Sequence, residues 1–276
     1  MKISEDIYFL YGIFGCNVGI IKSNEEVALV DTGFTEESVD LVIFCLKMIA
    51  GLGNIKYVFV THADRDHIGG LHRFQKKYGA KLVIHKAEAS RIEKPKEPIA
   101  PSIADITFEK DRSFEVGNIK LRLITTPGHT IGSTCIYDER DAILFSGDTL
   151  VQDFYHPYIG GTGRFIHLPI IRSKIEDYLE SLARLVDLDL RWILPGHGRP
   201  VRNGKEKIIE SIAMIKNLKN EAYGMLVEDL CPSELAEKLH TYPEVGTKLI
   251  DDLEHEGKVK PVGTKVLQRE HTYRQK

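Results

Sequence analysis

The 276-residue chain is 42% hydrophobic and 28% charged, enough for one large α/β domain with a small addition. Its formal net charge of −3 argues against a surface built for nucleic acid, which needs a positive field. Cys16, Cys45, Cys135 and Cys231 lie far apart with no C-x-x-C pair, which excludes a disulfide framework and a soft-metal site and fits buried thiols in a reducing compartment.

In chain order, "MKISEDIYFLYG" carries acids where a secretory signal would place its apolar core, and it reads as a first strand. The most apolar stretch, "LVIFCLKMIAGLG", is too short to span a bilayer and contains Lys47, so the expectation is a cytoplasmic protein without a membrane partner. "NVGIIKS" and "EVALVDTG" read as further strands, the latter ending in Asp31, and "TEESVDLVIFCLKMI" as a helix capped by Thr35. The strand "IKYVFVTH" then runs into "THADRDHIGG", where His62, Asp64, Asp66 and His67 crowd a turn. A helix "IGGLHRFQKKYG", a strand "KLVIHKAEA" and a polar, proline-containing loop from Glu93 to Asp105 follow. After Thr107 the strand pattern resumes: "LRLITTPGHT" delivers His129, "AILFSGDTL" delivers Asp148, and, beyond a helix "SKIEDYLESLARLVDL", "RWILPGHG" delivers His197. Gly128, Gly147, Gly196 and Gly198 flank these residues and allow tight turns beside bulky side chains.

Imidazole and carboxylate together form the donor set of a hard or borderline divalent metal, and loops at strand ends can aim such groups at one point. The ordered series "THADRDHIGG", "TPGHT", "SGDTL" and "ILPGHG", preceded by "NVGIIKSNEEVALVDTGF", resembles the metallo-β-lactamase superfamily over roughly residues 3 to 200, in its glyoxalase II-like or nuclease-like branch. The resemblance implies an α/β fold, an αββα sandwich of two mixed β-sheets flanked by helices, with a catalytic domain over 1–203. It also implies that His62, Asp64 and His129 hold one ion and Asp66, His67 and His197 a second, with Asp148 bridging and Asp31 orienting ligands from beneath. Asp66 and Asp148 would then be catalytic, and a metal-bridging hydroxide would attack an electrophilic carbonyl or phosphorus. One residue departs from the family's commonest pattern, because Asp64 stands where a second histidine is usual. A carboxylate is a harder donor, so iron or manganese becomes an alternative to the expected pair of zinc ions. The implied enzyme is a hydrolase of thioesters, esters or lactones. The alternatives are a metal-dependent ribonuclease and a non-catalytic scaffold, the latter disfavoured by the full ligand set.

Between Asp148 and His197, "VQDFYHPYIGGTGRFIHLPIIRS" supplies Tyr155, His156, Tyr158, Arg164 and His167 as candidates for the substrate pocket. Residues 204–276 read as a separate module: three helices, "KEKIIESIAMIKNLKNEAYGMLVE", "CPSELAEKLH" and "TYPEVGTKLIDDLEHEGKV", then a hairpin turning around Pro261 to Gly263. Thr241 and Glu244 form a capping box for the third helix, with Gly257 as its stop. The arrangement resembles a winged-helix module. Its groove-facing helix would carry Glu244, Asp251, Asp252, Glu254 and Glu256 against Lys248 alone, which excludes sequence-specific DNA binding. The tail, with Lys258, Lys260, Lys265, Arg269, Arg274 and Lys276 against Glu270, leaves RNA contact open but reads as a solvated terminus. A small-molecule substrate is expected, and a homodimer is compatible with the sequence.

Overall fold

The computed structural model of the chain describes residues 1–96, 98–152, 169–227, 229–265 and 270–275. Strand β1 (Ile7–Leu10) alternates buried Ile7 and Phe9 with half-exposed Tyr8 and Leu10 and pairs antiparallel with β2 (Val18–Ser23). β3 (Glu26–Val30) returns beside β2, and from there helical crossovers replace hairpins. Helix α1 (Glu36–Ile49) leads to β4 (Ile55–Val60), parallel to β3. α2 (Arg65–Ile68) and α3 (Leu71–Tyr78) lead to β5 (Lys81–His85), and α4 (Lys86–Glu93) to β6 (Ile106–Phe108), completing a sheet ordered β1 to β6. The second sheet comprises β7 (Arg112–Val116), β8 (Ile119–Thr125), β9 (Thr134–Asp138) and β10 (Ile143–Gly147), followed after α5 (Ile175–Val186) by β11 (Trp192–Pro195) and β12 (Val201–Arg202).

Three apolar clusters define the layers. Phe9, Val30 and Phe59 of the first sheet meet Leu121, Phe145 and Leu194 of the second in the space between them. Val42 and Leu46 of α1 and Phe74 of α3 pack against Leu29, Val58 and Leu82 on the first sheet's outer face. The second sheet's outer face, with Leu144 and Ile193, packs on Tyr178 and Leu182 of α5. This is the expected helix–sheet–sheet–helix sandwich, with two mixed sheets. The same outer cluster continues through Ile208 and Ile215 of α6 (Gly204–Met225), Leu235 of α7 (Pro232–Lys238) and Leu249 of α8 (Pro243–His255) to Val259 of β13 (Val259–Lys265), which pairs with β14 (Glu270–Gln275). Among the described residues no helix is long and apolar enough to cross a membrane.

Four local expectations are corrected. The strand at "KLVIHKAEA" stops at His85, whose Nδ1 accepts the Ala87 N–H at 3.2 Å and starts α4. The helix expected from Ile68 onward is split at Gly69 and Gly70, where a Cβ on Gly69 would sit 1.9 Å from the Phe34 carbonyl oxygen of the β3–α1 loop. The cap of α8 is Tyr242, not Thr241, because Pro243 at the first helical position forces the preceding residue into extended backbone (ψ 145°). Pro261 and Gly263 lie inside β13 at an irregularity in register rather than at a turn, and β13 stays paired with β14 as far as Lys265 opposite Glu270.

Phe145 is 1% exposed and fills the space left by Gly19, where a Cβ would lie 2.4 Å from the Phe145 ring. Phe145→Ala is expected to destabilise the fold by about 3–5 kcal/mol. Urea denaturation checks this, and an unchanged midpoint would mean that the sheets do not pack through this ring.

Candidate metal centre

The C-terminal ends of four strands meet at one edge of the sandwich. His62 follows β4 by two residues, Asp64 precedes α2, and Asp66 and His67 lie on α2. His129 follows β8, Asp148 directly follows β10, and His197 lies two residues beyond β11. All seven residues singled out as ligands are brought together, in groups that share Asp148. His62 Nε2 lies 3.1 Å from His129 Nε2, which lies 3.1 Å from Asp64 Oδ2. His197 Nε2 lies 3.1 Å from Asp66 Oδ2, and His67 Nε2 3.7 Å from the same oxygen. Asp148 presents Oδ1 at 3.4 Å from His67 Nε2 and Oδ2 at 3.4 Å from His197 Nε2, while Oδ2 is 3.8 Å from His129 Nε2 and 4.0 Å from His62 Nε2. A tetrahedral ion with bonds near 2.0–2.1 Å needs donors about 3.3 Å apart, so both groups have the right dimensions.

The hydrogen bonds behind the imidazoles point the same way. His129 Nδ1 donates to the Ile170 carbonyl at 2.7 Å and His67 Nδ1 to Asp31 Oδ2 at 2.8 Å. Thr61 Oγ1 gives its proton to the other side, to Asp31 Oδ2 at 2.8 Å, and so accepts from His62 Nδ1 at 3.1 Å. Each Nε2 is therefore left with a lone pair aimed inward, where it meets other lone pairs and carboxylate oxygens. His67 Nε2 and Asp148 Oδ1 are buried without any hydrogen-bond partner. Facing acceptors at this separation repel unless a cation lies between them, so the donor set fits divalent ions.

Electrostatics agree. Burial works against charge on His197, but Asp148 and Asp66 outweigh it and raise its pKa to about 9. Burial works against charge on His67 as well, but Cys16, Asp148, Asp31 and Asp66 together hold it well above its ordinary value. Against the effect of burial, His67 and His197 lower Asp66 to about 2, and the same two imidazoles hold Asp148 well below the usual carboxylate range. Burial depresses His62, reinforced by the charge of His67. The cavity thus demands positive charge, and protons supply it where ions do not.

Asp31 both caps β3 and serves the site. Its backbone is left-handed (φ 59°), and its carboxylate also accepts the Thr61 N–H at 2.9 Å. Cys16 lies close to Asp31 and His67, but burial pushes its thiol up to about 11, and Asp31 already accepts three hydrogen bonds. Gly196 is required by contact, since a Cβ there would lie 2.3 Å from Asp148 Oδ1 and 2.8 Å from His67 Cε1.

Several contributors carry no signal of their own in the sequence. Arg91 on α4 donates to Asp64 Oδ1 at 2.6 Å and to Glu88 Oε2 at 2.7 Å, and buried Glu88 also accepts the Ala63 N–H at 3.0 Å. Arg172 donates to Asp64 Oδ2 at 2.7 Å and comes within 3.4 Å of His129 Nε2. Asn17 Nδ2 donates to the Pro195 and Gly198 carbonyls, both at 2.9 Å, and so holds the His197 loop against the first sheet. Tyr155, His156, Tyr158, Arg164 and His167 lie outside the described residues.

Sandwich and site together define a protein of the αββα class with a histidine- and aspartate-lined metal centre at the sheet edge. The chain belongs to the metallo-β-lactamase superfamily, whose family pattern matches residues 11–197. It is similar to a metallo-beta-lactamase family protein from Thermus thermophilus, with a TM-score of 0.78, 22% identity and full coverage of both chains, a likeness of fold. Among curated relatives, the beta-lactamase-like protein 2 homolog of Caenorhabditis elegans is 29% identical over 220 residues, 78% of this chain and 66% of that one. The acyl-coenzyme A thioesterase MBLAC2 of Gallus gallus is 25% identical over 215 residues, 66% of this chain and 72% of that one. The chain spans less than two thirds of several such relatives, 54% of one and 37% of another.

Asp31→Asn leaves an acceptor for Thr61 but presents an N–H to His67 Nδ1, which reverses the tautomer and turns its Nε2 proton into the site. Metal affinity, measured by competition with a chromophoric chelator, is expected to weaken about 10–100-fold; unchanged affinity would mean that His67 does not ligate. The raised pKa of His197 sets a pH dependence as well. In ion-free protein its contribution to stability is complete below pH 6.5 and disappears as pH rises through about 9. Chelator-treated protein should therefore show a falling Tm across that window, a trend that metal loading removes.

Proposed function

We propose that the chain is a metal-dependent hydrolase of thioesters, with His62, Asp64 and His129 holding one ion, Asp66, His67 and His197 a second, and Asp148 shared. The observation that carries this reading is the inward aim of the Nε2 lone pairs, fixed from behind at His62, His67 and His129. A pair of ions in this setting supplies a water with a pKa near neutrality and polarises a carbonyl oxygen. The protein's own part is positioning. Asp148, shared by both groups, keeps them in register. Asp66 has the most exposed carboxylate of the set, with a side chain 34% exposed; its Oδ2 faces His197 Nε2 as a ligand oxygen would, so its other oxygen would be the one left to take the water's proton. The thioester as substrate is supported by the thioesterase named among the relatives.

The two ion positions differ. Arg91 and Arg172 already compensate Asp64, whereas no arginine touches Asp66 among the described residues, so the second position is the tighter. Zinc is the proposed metal because imidazoles dominate the donor set, with iron or manganese favoured only through Asp64. Helix α8 with its neighbours and the hairpin is read as a winged-helix-like appendage that packs rather than reads nucleic acid: its exposed Glu244, Asp251 and Glu254 face solvent, and Lys248 pairs with Asp251 at 3.4 Å.

Asp148→Ala is expected to lose both ions by elemental analysis and to reduce thioester turnover to background. Retention of both ions with full turnover would remove the shared ligand and with it the assignment. Asp64→His exchanges an oxygen donor and two arginine pairs for an imidazole, and in mixed-metal competition the preference for zinc over iron or manganese should rise.

A further inference from the structure

Beside the metal centre lies a cavity of about 360 Å³ whose walls include Asp64 and Asp66 together with Arg65, Arg91, Lys94, Lys96 and Arg172. Five cations against two acids is a local excess of positive charge in a chain whose net charge is −3. Arg91 and Arg172 are occupied by Asp64, at 2.6 and 2.7 Å. Arg65, Lys94 and Lys96 have no ion-pair partner among the described residues, and the Arg65 guanidinium lies over the Phe34 ring, 5.5 Å from its centroid. The C-terminal end of α4 accounts for one cation at Lys94. It does not account for Arg65 on α2 or Arg172 ahead of α5, which come from other parts of the chain and face the same hollow. Like charges gathered around a concavity repel one another, and an anion inside it relieves them all.

We propose that this cavity is the substrate's anion-recognition subsite, so that the preferred thioester carries a carboxylate or phosphate close to its scissile carbonyl. This rests on the thioester reading above and narrows it. A sphere of the cavity's volume is roughly 9 Å across, within the range of small-ligand pockets. Because Asp64 and Asp66 form one wall, a carbonyl at the metal centre and an anion at Lys94 and Lys96 would lie within about one cavity width of each other. Hydrolysis itself is balanced by water alone: its oxygen joins the acyl carbon, the carbon–sulfur bond breaks, and the thiol leaves with a proton. The anion fixes the carbonyl's position while this happens. It can belong to the acyl chain or to the thiol.

The test uses the metal-loaded full chain and three thioesters: butyryl-N-acetylcysteamine, neutral throughout; succinyl-N-acetylcysteamine, with the carboxylate on the acyl side; and butyryl-glutathione, with carboxylates on the thiol side. One of the two anionic compounds is expected to exceed the neutral one in kcat/KM by about tenfold or more, mainly through KM, and which one does so identifies the side. In Lys94→Ala/Lys96→Ala that ratio should fall to within about twofold of unity. Equal kcat/KM for all three compounds, or a ratio untouched by the double substitution, overturns the proposal. Calorimetric titration with succinate separates this from the thioester reading. Succinate binding that weakens about tenfold in the double variant, without turnover of any thioester, keeps the subsite and refutes the thioesterase. Succinate binding that is absent, or unchanged by the substitutions, refutes the subsite whatever the turnover.

Discussion

The carboxylate of Asp31 is the contact on which the rest of the site depends. It accepts from the Thr61 N–H, the Thr61 hydroxyl and His67 Nδ1, and so ties the ends of β3 and β4 to α2. The chain tolerates a left-handed backbone at a residue with a Cβ to achieve this, a conformation that persists only where the surroundings determine it. Through His67 it orients one group of ligands directly, and through the Thr61 hydroxyl it fixes the tautomer of His62 in the other. One buried anion therefore sets the direction of lone pairs in both groups.

The second constraint is the meeting of two sheets. Every apolar layer serves to bring the C-terminal edge of β4 opposite those of β8, β10 and β11, with large rings such as Phe59 and Phe145 filling the space between. The edge is then closed by polar contacts: the Asn17 N–H donates to the Gly196 carbonyl at 2.7 Å, and the Gly196 N–H to the Gly147 carbonyl at 2.7 Å. Gly196 has to be small because Asp148 and His67 occupy the volume of any side chain it could carry.

The histidines and aspartates that gather at one edge were legible in the sequence as a series because they follow short apolar runs at strand ends, several with glycine beside them, a local pattern tied to one geometry. The sandwich was legible for a related reason, since strand and helix periods alternate clearly through β1 to β5. What escaped was whatever depends on distant parts of the chain. Arg91 belongs to a stretch that reads as strand until His85 caps a helix, and Arg172 sits in a connection with no pattern at all. Glu88 is an acid on a polar helix until burial beneath Ala63 and Gly132 shows its purpose. At α8 the expected cap was displaced by one residue because a proline dictates the backbone before it, a rule that overrides the side-chain pattern of Thr241 and Glu244. The winged-helix-like reading of the C-terminal segment described its elements, but not the continuous apolar cluster that joins them to α5 and the second sheet.

The seam held by Asn17 has a consequence for the protein's life span. The side chain joins the first sheet to the loop carrying His197, and the ligands of each ion group likewise come from both sheets. Ions seated there would act as rivets at this edge, adding to the apolar contact and to polar ties elsewhere between the halves, such as Arg140 to Asp6 and the Gly117 N–H to Glu26. With ions bound there, local opening along this edge would depend on metal supply, and proteases would gain entry where the loops part. A cell short of metal would clear this protein faster, so its abundance and its activity would fall together.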